Sequence, residues 1–180
     1  NTYLALDHDL EIVPVINKID LPSARPDFVK NEIEDVIGIE AQEAPLISAK
    51  QGIGIEDVLE EIVQKIPAPS GDENAPLQML VSNIDYDNFS GRIGIGKIEN
   101  GVIKNGQTVA LCKKDGTIVN TKIGKLYTYM GLKRVEVEEA KCGDIVAVNG
   151  VEGINIGETI ADAITPEAVD FVDIDEPTVS

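Results

Sequence analysis

The spacing of apolar residues changes at residues 67–76, a stretch rich in proline, glycine and polar residues. Before it, apolar residues recur at the three- and four-residue intervals of amphipathic helices. After it, they form short runs typical of β-strands, separated or closed by turn-forming dipeptides. These dipeptides are Asn100-Gly101, Asn105-Gly106, Asp115-Gly116 and Asn149-Gly150. The sequence therefore predicts two domains of different class, residues 1–66 and 77–163, with a linker at 67–76 and a tail at 164–180.

The first predicted domain has the order helix, strand, helix, strand, helix. The predicted helices are 3–10, 26–37 and 55–66, and the predicted strands are 11–17 and 45–48. This order is typical of an α/β domain with parallel strands. Two parallel strands need neighbours on both edges and helices on both faces. We therefore expect this segment to be the C-terminal part of a larger domain.

The second predicted domain is all-β. Its predicted strands are 77–82, 92–99, 107–112, 117–129 and 144–148. Short strands at this spacing favour a small closed barrel. Gly91, Gly94 and Gly96 interrupt one of them, as expected where a strand bends or another backbone approaches closely.

The charge of the chain limits its partners. It carries 15 lysines and arginines against 32 aspartates and glutamates, a formal net charge of −17. This balance argues against a generic nucleic-acid-binding surface, and we expect no DNA partner. Residues 92–141 depart from it, with ten basic and five acidic residues. A solvated barrel surface and a patch that faces an anionic partner both explain this local excess.

Cys112 and Cys142 have no CxxC pattern or neighbouring histidine, which predicts two free thiols in a reducing cytoplasm. No apolar stretch approaches the roughly 20 residues that a membrane-spanning helix requires. No metal site is predicted.

Polar residues with base-reading chemistry follow the first predicted strand. Asn17 carries an amide donor and acceptor, and Asp20 carries a carboxylate that can accept two parallel N–H bonds. Guanine offers such a donor pair, its ring N1–H and its exocyclic amine, whereas adenine does not. Asn17-Lys18-Ile19-Asp20 is therefore a plausible guanine reader at the carboxyl end of a strand.

A second motif strengthens this hypothesis. Ser48-Ala49-Lys50 follows about thirty residues later, at the end of the next predicted strand. Together the two motifs resemble the guanine-recognition motifs of GTPases, and the sequence around them is similar to the LepA (elongation factor 4) family of translational GTPases. The resemblance implies that Asp20 binds the guanine N1–H and amine, that Asn17 holds the base edge and ties loops together, and that the Lys18 stem covers one ring face. It also implies that the Ser48 and Ala49 backbone N–H groups point to the guanine oxygen, with Lys50 nearby.

The phosphate loop of GTPases does not occur in this sequence. There is no Gly-x-x-x-x-Gly-Lys-Ser/Thr loop, and Gly94-Ile-Gly96-Lys97 has the wrong spacing for one. We therefore expect no catalytic residue within the chain, and no GTP hydrolysis by the chain alone. The resemblance implies GTP or GDP as the ligand, with Mg²⁺ and hydrolysis only in the complete protein.

The second half resembles another branch of the same GTPases. The stretch 91–106 is similar to the second domain of translational GTPases, and residues 75–180 resemble TypA/BipA, whereas residues 1–75 resemble LepA. The two halves therefore indicate different subfamilies, with a join near residues 70–76. The implied fold is the C-terminal part of a P-loop GTPase domain followed by an all-β translation-factor-type barrel.

The implied function is that of a segment of a cytoplasmic, ribosome-associated translational GTPase. By this resemblance the barrel contacts ribosomal RNA and proteins. The candidate RNA-facing cations are Lys113, Lys114, Lys122, Lys125, Lys133 and Arg134. The alternative is a non-catalytic β-barrel module for RNA or protein binding, with the α/β segment as a docking remnant.

Overall fold

The structure is a computed structural model of the 180-residue chain and describes residues 2–7, 9–88 and 91–170. The chain divides into two compact units, Asn1–Ala68 and Pro69–Ser180. Within the described ranges, no helix is long and apolar enough to cross a membrane.

The first unit contains the three predicted helices. They are α1 (Thr2–Asp7), α2 (Pro26–Glu32), which continues into a π-helical turn (Ile33–Ile37), and α3 (Ile55–Lys65). Pro26 suits the first turn of α2 because its missing N–H has no helical partner there. Gly38 ends the π-helical turn in the left-handed conformation, with φ of 82°.

The two predicted strands of this unit are reduced to one parallel bridge, between Ile16 and Leu46. The Ile16 N–H donates to Pro45 O at 3.0 Å, and the Ile47 N–H donates to Ile16 O at 2.8 Å. Pro14 and Pro45 have no N–H to extend this ladder, which accounts for the short pairing. Around the bridge, buried Ile16, Ala41 and Ala44 form a small core.

The second unit is an antiparallel β-structure around one apolar core. Its strands are β1 (Gln78–Asp87), β2 (Gly91–Asn100), β3 (Val102–Lys104), β4 (Thr108–Cys112), β5 (Ile118–Lys122), β6 (Leu126–Met130), β7 (Lys133–Glu136), β8 (Glu139–Lys141), β9 (Ile145–Val148) and β10 (Thr159–Asp162). Eight of them form one sheet in the order β5-β4-β10-β1-β2-β9-β6-β7, and β3 pairs with β8 separately. The sequence predicted a closed barrel. In the structure, the eight strands follow a hydrogen-bonded order with β5 at one end and β7 at the other.

One predicted strand, 117–129, is two strands in the structure. A corner at Gly124 separates β5 from β6, because Asn149 binds the chain there. Asn149 is buried, and its side-chain oxygen Oδ1 accepts a hydrogen bond from the Lys125 N–H at 2.6 Å. The backbone carbonyl of Asn149 accepts a second bond, from the Gly124 N–H at 2.9 Å. A Cβ at Gly124 would lie 2.5 Å from Asn149 Oδ1. Such a tertiary contact leaves no trace in the local apolar pattern.

Part of the predicted linker is bonded to the sheet. The Asp72 N–H donates to Asn100 Oδ1 at 3.0 Å, and the Gly101 N–H donates to Asp72 O at 2.9 Å. Glu73 also forms an ion pair with Lys141 at 2.7 Å. These contacts place residues 72 and 73 with the second unit, and the domain boundaries otherwise stay a prediction.

The two cysteines are free thiols, as predicted. Cys112 is buried at the end of β4, and burial raises the pKa of its thiol because the charged thiolate loses hydration.

Gly96 marks a close approach between two strands. It lies in β2 opposite Val81 of β1, and a Cβ at this position would be 1.9 Å from Leu80 O. The expectation of close backbone approach is therefore correct for Gly96. Gly94 differs, because its Cβ would instead meet the end of the Ile154 side chain.

We expect Gly96→Ala to lower the free energy of unfolding of the second unit by about 3 kcal/mol or more, because backbone must move to admit the methyl group. Urea unfolding followed at the amide resonances of β1 and β2 measures this change. Gly116→Ala is the matched control, since Gly116 has φ of 82° and open space around it. It should cost only about 1–2 kcal/mol of backbone strain. Equal destabilisation by the two substitutions would contradict the steric explanation.

Candidate functional site

The loop after Ile16 is held in an unusual conformation. Lys18 has a positive φ of 68°, which is uncommon for a residue with a side chain. The Lys18 N–H donates to Asn17 Oδ1 at 2.7 Å, and the Ile19 N–H donates to Ile47 O at 3.1 Å. The Leu21 N–H closes a turn onto Lys18 O at 3.2 Å. These bonds fix the backbone from which Asn17 and Asp20 project.

A second loop, residues 48–53, lies beside the first. The Ser48 N–H donates to Ile53 O at 3.0 Å, and the Ile53 N–H donates back to Ser48 O at 3.1 Å. Gly54 then begins α3 in a left-handed conformation, and a Cβ there would be 2.5 Å from Leu46 O. Only glycine fits this position without displacing backbone.

Two side-chain hydrogen bonds connect the loops. The Ser48 hydroxyl, which is fully buried, donates to Asp20 Oδ1 at 2.7 Å. The Ala49 N–H donates to Asn17 Oδ1 at 3.1 Å. The Ser48 hydroxyl oxygen also accepts a bond from the Gln51 N–H at 3.2 Å, which orients the hydroxyl toward Asp20. Because a carboxylate has about four acceptor positions, Asp20 keeps capacity for further N–H donors.

Five side chains line a cavity of about 310 Å³ at this junction. They are Asn17, Lys18, Asp20, Leu21 and Lys50. The volume is at the lower end of the range for small-molecule sites. Four of these residues were predicted from the sequence, and Leu21 was not. Its position directly after the Asn-Lys-x-Asp motif is the one signal that could have identified it.

The Ser48 and Ala49 N–H groups, predicted to bind the guanine oxygen, already have protein acceptors, Ile53 O and Asn17 Oδ1. For the predicted contact to form, the Ala49 N–H must leave Asn17 Oδ1 and donate to the guanine oxygen instead. Ser48 contributes through its hydroxyl, a role that the sequence did not indicate.

The candidate RNA-facing cations are distributed over two hairpins of the second unit. Lys113, Lys114 and Lys122 belong to the β4–β5 hairpin, and Lys125, Lys133 and Arg134 belong to the β6–β7 hairpin. Lys125 is bonded to Glu136 at 2.8 Å, a hydrogen bond that raises the lysine pKa. Arg134 lies 3.2 Å from Asp85. These two cations are therefore partly neutralised within the protein.

The resemblance predicts GDP as the ligand of this site. We then expect Ser48→Ala to weaken GDP binding by about tenfold, because removal of one buried hydroxyl bond leaves Asp20 free to rotate. Titration of GDP into the protein, followed by amide chemical shifts of residues 17–21, measures the change. Ser23→Ala is the control, since Ser23 is exposed and belongs to the same loop region. An unchanged affinity in Ser48→Ala would show that Asp20 needs no such support.

Two family models match the chain. Residues 1–68 match the family model of the elongation factor Tu GTP binding domain, and residues 91–161 match that of elongation factor Tu domain 2. Elongation factor 4 of Clostridium acetobutylicum is 47% identical over 170 residues, which cover 92% of this chain and 28% of that protein. Elongation factor 4 of Clostridium novyi is 49% identical over 167 residues, with the same coverage. The chain thus spans about 28% of the length of these curated relatives.

A solved structure shows the same fold. Translation elongation factor SelB from Methanococcus maripaludis, in its apo form, superposes with a TM-score of 0.63 at 18% sequence identity. The match covers 90% of this chain and 36% of that one.

These matches decide part of the subfamily question. The elongation factor 4 relatives cover 92% of the chain and so extend across the predicted join at residues 70–76. The LepA resemblance is confirmed, and the TypA/BipA resemblance of the second half is not. The predicted fold class, part of a P-loop GTPase domain followed by a translation-factor barrel, is confirmed. The chain belongs to the translational GTPases, as a LepA-like segment that joins part of a GTP-binding domain to the second domain.

Proposed function

We propose that this chain supplies the guanine-recognition end of a translational GTPase. GTP or GDP is the ligand, and its base is read by Asp20 and Asn17. The Lys18 and Lys50 stems flank the ring, and Ser48 and Ala49 hold the two reading side chains. The proposal rests on one observation above all, the Ser48–Asp20 bond at the edge of a cavity lined by Asn17 and Lys50.

Within residues 2–7, 9–88 and 91–170, no three His, Cys, Asp or Glu side chains come together as a metal site. Because the sequence contains no phosphate loop, we assign phosphate and Mg²⁺ binding, and with them GTP hydrolysis, to other residues of the complete protein. The part played by this chain is selection of the base.

Asp20→Asn provides the test of base selection. The asparagine oxygen can still accept the Ser48 hydroxyl, which turns the amide N–H₂ toward the base. This substitution replaces an acceptor by a donor opposite the guanine N1–H and amine. We expect the binding free energy of the complete protein for GDP to weaken by about 1–3 kcal/mol for each guanine N–H group left without an acceptor. Binding of xanthosine diphosphate should improve.

Calorimetric titration with GDP, xanthosine diphosphate and ADP measures these affinities. Asp27→Asn is the control, because it makes the same charge change in the first turn of α2, outside the cavity. Equal affinity of the unsubstituted protein for GDP and ADP would favour the alternative, a binding module without base recognition. If Asp20→Asn keeps the same preference for guanine, the Asp20 carboxylate does not select the base.

We also propose that the second domain contacts the ribosome in the cytoplasm, through RNA-facing cations. The support is the LepA-like sequence together with the local basic excess of residues 92–141. Within the described part of the chain, Lys113, Lys122 and Lys133 make no ion pair, so their charge is available to phosphates.

Replacement of Lys113, Lys122 and Lys133 by glutamine should weaken ribosome binding by the complete protein. The slope of log affinity against log salt concentration should also become shallower, by about 0.7–0.9 for each phosphate that the protein no longer neutralises. Sedimentation with ribosomes at several salt concentrations measures both quantities. A control variant neutralises Lys97 and Lys104, which lie near Glu99 and Glu139 on the same domain. An unchanged slope in the triple variant would exclude these lysines as RNA contacts.

A further inference from the structure

One exposed aromatic ring of the second unit is held in a fixed position. Tyr86, near the end of β1, is 66% exposed. It lies opposite Arg92 of β2, and the Arg92 Nε–H donates to the Tyr86 hydroxyl oxygen at 2.9 Å. The guanidinium carbon of Arg92 lies 5.7 Å from the centre of the ring. An exposed side chain normally changes rotamer within nanoseconds, whereas this ring is restrained at its hydroxyl end.

Arg92 is itself anchored to the loop between β9 and β10. Its Nη1 donates to Ile154 O at 2.9 Å and to Asn155 Oδ1 at 2.8 Å. The Asn155 side chain donates through Nδ2 to Gly153 O at 3.0 Å, and the Asn155 backbone N–H donates to the Glu158 carboxylate at 2.8 Å. The ring is therefore the exposed end of a network whose other members are fixed by the fold.

Two cations belong to this part of the surface. Lys113, which directly follows β4, extends its side chain to the same loop, and Lys113 Nζ lies 3.7 Å from the point where a Cβ of Gly153 would stand. Within the described ranges, Lys113 makes no ion pair and the Nη2 group of Arg92 has no hydrogen-bond acceptor. Both side chains therefore have N–H groups available for an anionic partner.

The carboxylates closest to the ring in sequence point away from it. Successive side chains of a strand alternate between its two faces, so Asp85 and Asp87 lie on the face opposite to Tyr86. Asp85 is also paired with Arg134 at 3.2 Å. Glu158 is 4% exposed and is bonded within its own loop. These three carboxylates therefore do not oppose the approach of an anion to the ring.

A fixed aromatic ring with cations on the same surface matches the chemistry of an unpaired RNA nucleotide. Unpaired bases stack on tyrosine rings, and the phosphates next to such a base bind lysine and arginine. Because the ring is already restrained in the free protein, stacking costs less conformational entropy. A proline-rich peptide fits less well, since such peptides bind in grooves lined by aromatic residues rather than on one ring among cations.

We propose that Tyr86 stacks on an unpaired base of the RNA, and that Arg92 and Lys113 bind its phosphates. This inference rests on the ribosome contact proposed above and adds a base contact to the electrostatic one. Stacking neutralises no phosphate, so it contributes affinity without changing the dependence of binding on salt concentration.

Sedimentation of the complete protein with ribosomes at several salt concentrations tests the stacking role. Tyr86→Ala should weaken binding by about tenfold, because one base loses its aromatic partner. The slope of log affinity against log salt concentration should stay unchanged. Tyr86→Phe keeps the ring and should bind within about threefold of the unsubstituted protein. Tyr3→Ala is the control, since Tyr3 is 63% exposed and belongs to the first unit.

Ultraviolet cross-linking of the unsubstituted complex identifies the partner without any variant. The peptide that carries Tyr86 should gain the mass of a nucleotide in mass spectrometry. A cross-link from this peptide to a ribosomal protein alone would overturn the assignment to RNA.

Two results of the sedimentation experiment would overturn the stacking role. They are an unchanged affinity in Tyr86→Ala and a weaker affinity accompanied by a shallower salt slope. If the triple lysine variant has a shallower slope while Tyr86→Ala binds normally, the stacking inference alone fails. If the unsubstituted protein does not bind ribosomes, the proposed ribosome contact fails as well.

Discussion

The candidate site depends on the hydrogen bond between the Ser48 hydroxyl and Asp20. Ser48 is fully buried while Asp20 is partly exposed, so the bond connects a fixed point of the fold to a side chain at the rim of a cavity. The fixed point exists because Ile16 and Ile47 bring the two loops side by side through a single parallel bridge. A short element of backbone pairing thus sets the position of a polar group that must be accurate to a fraction of an ångström.

The two units obtain their order in different ways. In the described helices of the first unit no residue is fully buried, and loop positions depend on specific hydrogen bonds and on Gly54. The second unit has a continuous core that includes Met79, Ile98 and Leu126, all without exposed surface. Removal of one hydrogen bond should therefore matter more in the first unit, and disruption of packing more in the second.

The elements that were predicted correctly are those specified by residues close together in the sequence. Helix α2 was predicted because apolar spacing, Pro26 and Gly38 mark it out, and α3 was predicted because its apolar residues recur at helical intervals. Asn17, Asp20 and Lys50 were predicted because a polar motif follows an apolar run. Four strands were missed, namely β3, β7, β8 and β10. Lys-Arg-Val-Glu and Glu-Ala-Lys lack alternating apolar residues, and β3 and β10 are only three and four residues long. Other features depend on residues distant in sequence or on loop geometry, which no apolar pattern encodes. They are the corner at Gly124, the bond from the Ser48 hydroxyl to Asp20 and the position of Leu21 at the cavity.

The open edge of β5 illustrates what only the assembled fold can show. The sequence predicted a strand through this region, but not that it would stand at the end of a sheet. Exposure of Val119 follows from that position, since the residue is apolar, faces the core side and lies beside fully buried Leu111. The cavity at Asp20 differs from this edge, because side chains held by specific hydrogen bonds define it.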